Sequence, residues 1–133
     1  MMNKLFTKRT ASYCILITLS LIVLFHLLVL VSIVPFQIVW GGRLTNHSQM
    51  VRFEMISIAI NLIMLAVVAI HTGILKLRIK PLLIYIVLWC MGGLFLLNTI
   101  GNLLSINTFE KMVFTPLTLL LSICCFRLAL DKQ

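Results

Sequence analysis

Between Arg9 and Arg43 the chain runs for 33 residues without a Lys, Arg, Asp or Glu. Three more such stretches follow: Met55 to Leu75 with 21 residues, Pro81 to Phe109 with 29, and Met112 to Phe126 with 15. A helix rises about 1.5 Å per residue, so roughly 20 apolar residues cross the 30 Å hydrocarbon layer of a bilayer. The first three stretches meet that length. The fourth meets it once Arg127 snorkels and Leu128, Ala129 and Leu130 continue the span. Composition closes off the soluble alternative. Of 133 residues, 62% are hydrophobic and 11% are charged, against about 25% charged in an ordinary soluble domain. The expected fold is all-α, a single membrane domain with four transmembrane helices over about 12–34, 52–75, 81–104 and 112–130. Short connections favour an antiparallel up-down bundle.

The net charge of +8 invites a nucleic-acid reading until its distribution is followed. Lys4, Lys8, Arg9, Lys76, Arg78, Lys80, Arg127 and Lys132 fall at one end of such a bundle, and Arg43, Arg52 and Lys111 at the other. Lys and Arg in short loops are retained in the cytoplasm, so both termini are expected there and nucleic acid is not an expected partner. The basic start resembles a signal peptide. Its apolar run is too long, however, and Val31-Ser32-Ile33-Val34 is a poor small-residue cleavage site. Cys14, Cys90, Cys124 and Cys125 all lie in spans with no CxxC pair, and are expected to act as small hydrophobes.

Several residues punctuate the spans. Pro35 disfavours helical geometry at Val34 and marks the end of the first helix. Trp40 suits the membrane interface, and Gly41-Gly42 suits a turn. Pro81 fits the first position of the third helix. Asn107-Thr108-Phe109-Glu110 has the form of a capping box. Gly92-Gly93 permits close helix approach.

Polar residues inside a membrane are costly and therefore informative. At about 100° per residue, Glu54, Ser57, Asn61 and Thr72 share one face of the second helix. Asn98, Gly101, Asn102 and Ser105 share a face of the third, and Thr115, Thr118 and Ser122 a face of the fourth. Each stripe reaches about 10 Å inward from the outer end. Two readings stay open: hydrogen bonds that hold helices together, or a polar-bottomed cleft, open outward, that receives the head of a lipophilic ligand. The stripes also leave open whether they meet within one chain or across a dimer.

Glu54 is expected to pair with Arg43 in the preceding loop, since Arg52 points elsewhere on the helix. Alternatively it carries a proton or binds a cation. His26 is expected to make an interhelical hydrogen bond. It falls roughly 13 Å from the depth of His71, too far for one haem or metal, and no Cys/His spacing matches a zinc pattern. No cofactor or metal is expected. A membrane enzyme would need a second titrating group within hydrogen-bond reach of Glu54, and His26 is the best candidate.

With Trp40-Gly41-Gly42-Arg43-Leu44, Phe53-Glu54, Asn98-Thr99-Ile100-Gly101-Asn102 and Phe109-Glu110-Lys111…Phe114-Thr115-Pro116-Leu117-Thr118, the chain resembles a group of small bacterial four-helix membrane proteins. The resemblance implies the bacterial inner membrane and carries no activity. The expected role is a structural, accessory or assembly component of that membrane. The alternatives are a binder or carrier of a small lipophilic molecule and an enzyme using Glu54. Expected partners are the bilayer, together with a small lipophilic ligand, another membrane protein or a second copy of the chain.

Overall fold

A computed structural model describes residues 6–131; Lys4 and Lys132, counted above in the basic set, lie outside them. The described residues form four α-helices and no strand: α1 (Lys8–Leu30), α2 (His47–His71), α3 (Pro81–Leu103) and α4 (Thr108–Ala129). All four are long and apolar enough to cross a membrane. The molecule is an all-α, multi-pass membrane bundle.

Local chemistry sets each helix end, and at both ends of α2 and the far end of α1 it moves the end by several residues from the expected position. α1 stops at Leu30 rather than Val34. Ser32 takes a left-handed backbone at φ 64°. The amide of Ser32 then reaches the Val29 carbonyl at 3.0 Å and that of Ile33 reaches Leu28 at 3.0 Å. This pair of reversed bonds closes a helix before Pro35 has any influence. α2 begins at His47, four or five residues before the expected Val51 or Arg52. Asn46 caps it by accepting from the Gln49 amide at 2.8 Å, while Gln49 Oε1 accepts from the Thr45 amide at 3.0 Å. That reciprocal cap also commits the Asn46 side chain. At its far end α2 stops at His71 rather than Leu75, because Gly73 turns left-handed at φ 82°.

The helices run antiparallel. α3 lies chiefly on α4, and α1 on both α2 and α4, but α2 and α3 touch only sparsely. Going round the bundle the order is α2, α1, α4, α3, with a gap where the circle would close. This differs from an evenly closed bundle, and the polar faces explain it. Apolar packing gives membrane helices little driving force, so the α3–α4 contact rests on close approach and hydrogen bonds. A Cβ on Gly92 would lie 2.6 Å from the Phe126 ring, so the backbone of α3 sits directly against α4. The Ser122 hydroxyl donates to the Gly92 carbonyl at 2.8 Å. Thr99 and Thr118 bond at 2.9 Å one turn and more toward the loops.

The apolar core, with Ile15 and Leu19 of α1, Val68 of α2, Leu88 of α3 and Leu121 of α4, fills the middle and the basic end. At that end Lys8 pairs with Asp131 at 3.2 Å, and Tyr85 donates to the Asp131 carbonyl at 3.0 Å. The opposite end, where the 31–46 loop crosses the helices, holds the polar residues.

Candidate functional site: a buried carboxylate beside a lateral cavity

Glu54 lies in the second turn of α2 and is fully buried. Both carboxylate oxygens are engaged. Oε2 lies 2.5 Å from His26 Nδ1 on α1, and Oε1 accepts from the Trp40 indole N–H at 2.9 Å. His26 therefore makes the interhelical bond expected of it, and its partner is the acidic residue. The expected pairing of Glu54 with Arg43 does not form. Trp40 and His26 cover the carboxylate, and Arg43 stays exposed with its side chain folded toward Gly41. A carboxylate that accepts from the indole, a donor only, and from His26 requires the hydrogen on Nδ1. His26 also lines the cavity between α2 and α3, and Nε2 is its nitrogen not used by Glu54.

The backbone is distorted to make this contact. Trp40, Gly41 and Gly42 take consecutive left-handed conformations at φ 56°, 69° and 71°. Glycine adopts these at no steric cost, but tryptophan does not. The indole ring also rests on Phe53, centroid to centroid 4.9 Å. Gly42 is further constrained, because a Cβ there would lie 2.9 Å from Ile106 Cγ1.

One residue along the same loop a second carboxylate takes hold. The Gly41 amide donates to Glu110 Oε2 at 2.8 Å, and the Ser105 hydroxyl donates to the same oxygen at 2.5 Å. The expected capping box is thus only half formed. Asn107 Oδ1 does accept from the Glu110 amide at 3.1 Å, but the Glu110 side chain bonds to the loop and to Ser105 instead of reaching back. Glu110 is 7% exposed and was hidden in the sequence by its capping position.

Between these anchors and the gap lies a cavity of about 480 Å³. Its polar lining brings together His26, Ser57, Asn61, Asn98, Asn102 and Glu110, with Gly101 on the wall and Arg43 at the edge. Phe25, Phe95 and Phe114 form apolar walls. Leu97, also lining it, is 66% exposed, so the cavity reaches the lipid-facing surface between α2 and α3.

The three polar stripes divide between the two uses considered for them. Asn61 donates to the Ser57 carbonyl of its own helix at 2.8 Å, and Asn98 has no hydrogen-bond partner among the described residues. Neither amide bonds to another helix; both line the cavity, Asn61 half-buried and Asn98 at its exposed side. Asn102 donates to Thr118 at 3.3 Å, joining α3 to α4 at the cavity floor. Ser105 and Ser122 are committed to Glu110 and Gly92 and do not line the cavity. Thr115 is also off the cavity, with its hydroxyl buried and unpartnered. Thr72 bonds back to its own helix at the basic end. His71 ends α2, 17 residues from Glu54, about 25 Å along the helix. It stands against Tyr85 and cannot share a ligand with His26.

No protein-family model matches the chain, and neither a curated protein nor a solved structure matches it.

Trp40→Phe keeps the ring and removes the N–H, leaving Glu54 Oε1 buried and unpartnered. The expected loss is about 1–3 kcal/mol of unfolding free energy. Reversible unfolding in mixed micelles measures it, with Trp89→Phe, remote from the carboxylate, as the reference.

Proposed function

We propose that the protein binds a small lipophilic molecule with a hydrogen-bonding head, taken from the bilayer through the gap between α2 and α3. The observation that carries this reading is the orientation of Asn61 and Asn98. Amides at membrane depth normally serve to hold helices together, and these two face a shared cavity instead. A volume of about 480 Å³ suits a molecule of drug-like size. The apolar walls and the amide, imidazole and carboxylate groups at the bottom suit a molecule apolar at one end and polar at the other. A structural or accessory role draws support from the bonds between α3 and α4, but those close an interface inside the chain and leave the gap unused.

The setting we propose is a bacterial inner membrane with the basic ends of the helices in the cytoplasm, as the retention of Lys and Arg in short loops supports. An impermeant thiol reagent then labels Ser48→Cys in intact cells and spares Arg78→Cys, both in a background without native cysteines. Equal labelling of Arg78→Cys overturns the orientation.

Native mass spectrometry from a mild detergent tests binding. The wild-type chain is expected to carry one reproducible small-molecule mass. Gly101 offers a clean block, because a Cβ there meets nothing within 4 Å. Gly101→Leu fills the cavity with the fold intact and is expected to abolish the adduct. A bare monomer or oligomer with scattered phospholipid adducts contradicts the proposal and points to a protein partner at the gap.

A further inference from the structure

We infer that His26 exchanges protons with the bound molecule, with Glu54 as its positioning residue, so that the cavity is the site of a proton-transfer reaction on a lipophilic carbonyl compound. The inference rests on the binding reading above. It adds the chemistry that the site's geometry prepares.

Three observations carry it. First, Glu54 holds the His26 imidazole through Nδ1 at 2.5 Å and the same residue lines the cavity, so the ring nitrogen not used by Glu54 is the one for chemistry there. This is the arrangement by which proteins fix an imidazole as an acid or base. Second, the arrangement is expensive for a purely structural contact. It places a fully buried carboxylate inside a membrane helix and holds Trp40 in a left-handed backbone so that its indole reaches the other oxygen. Strain of this kind gathers at functional sites. Third, Asn98 lines the same cavity with its amide unengaged. An amide N–H donates to a carbonyl oxygen and more strongly to the oxyanion that forms when charge moves onto it. Beside an imidazole that takes up a proton, that donor suits a carbonyl compound, whose oxygen gains charge when a neighbouring C–H is broken.

The step balances without a co-reactant. Nε2 takes a proton from a carbon next to the carbonyl: a C–H bond breaks, an N–H bond forms, and the electron pair moves through the new C=C bond onto oxygen. Return of a proton from Nε2 to the same carbon, or to a conjugated one, restores the carbonyl. Nothing is oxidised or reduced. The net result is hydrogen exchange or migration of a double bond.

Deuterium oxide is the probe. Purified protein with its co-purifying small molecule is incubated in it, and the molecule is extracted, washed in ordinary water and weighed by high-resolution mass spectrometry, so that only carbon-bound deuterium is counted. Wild-type protein is expected to introduce deuterium, and His26→Gln to slow the exchange per molecule bound by about 100-fold or more. For the positioning role, histidine ¹⁵N NMR is expected to show the Nδ1–H tautomer in wild type and its loss in Glu54→Gln. Exchange falls in parallel, and Glu54→Asp restores part of both. A bound molecule that gains no carbon-bound deuterium, or gains it equally fast in His26→Gln, overturns the inference and leaves binding intact. If no small molecule co-purifies at all, the binding reading fails and this inference falls with it.

Discussion

A carboxylate with no solvent-accessible surface inside a membrane helix must be met at both oxygens, and meeting Glu54 organises the loop end of this protein. Removing a carboxylate from water costs several kcal/mol even after relaxation, and only good geometry with full hydrogen bonding offsets it. The two partners come from different parts of the chain. His26 fixes α1 against α2, and Trp40 fixes the crossing loop against α2. The left-handed run from Trp40 to Gly42 is the local consequence. The chain must turn sharply enough to aim the indole inward at Glu54 and, at the next residue, the Gly41 amide at Glu110. Two carboxylates on α2 and α4, on either side of the loop, thus pin adjacent residues.

That pinning explains why the cavity persists. With α1 tied to α2 and α3 tied to α4, the two pairs meet through α1 and α4, and nothing draws α2 onto α3. In water the exposed apolar edges would close such a gap. In a bilayer lipid solvates them as well as a neighbouring helix does, so the gap stays open at no hydrophobic cost. The amides of Asn61 and Asn98 then line an opening on the lipid side of the bundle whose inner end is polar.

The sequence carried the architecture because span length and charge are one-dimensional signals. Four uncharged stretches specify four helices whatever their packing. The stripes containing Asn61 and Asn98 with Asn102 were legible for the same reason, as helical periodicity places those residues on faces. The Glu54–His26 pair was legible only as a candidate, behind the expected pairing of Glu54 with Arg43, and the cause is local. Ending α1 at Val34 and starting α2 at Val51 or Arg52 puts His26 eight residues and Glu54 two or three residues from their helix ends. The actual ends at Leu30 and His47 put them four and seven residues away. At about 1.5 Å per residue, the apparent mismatch in depth shrinks by roughly half. The signals for the true ends were present in Asn46 with Gln49 three residues on, and in Gly73. Ser32 in a left-handed turn had no such signal, nor did the diversion of Glu110 from its cap to Gly41, which depends on tertiary placement.

A double-mutant cycle between Glu54→Gln and His26→Gln, read as unfolding free energy in mixed micelles, tests most directly whether this buried pair organises the site. A coupling of about 1.5–3 kcal/mol is expected, the range for a hydrogen bond to a charged group. Effects that add to within about 0.5 kcal/mol would mean that the two side chains do not meet, and the placement of His26 at the cavity would fail with them.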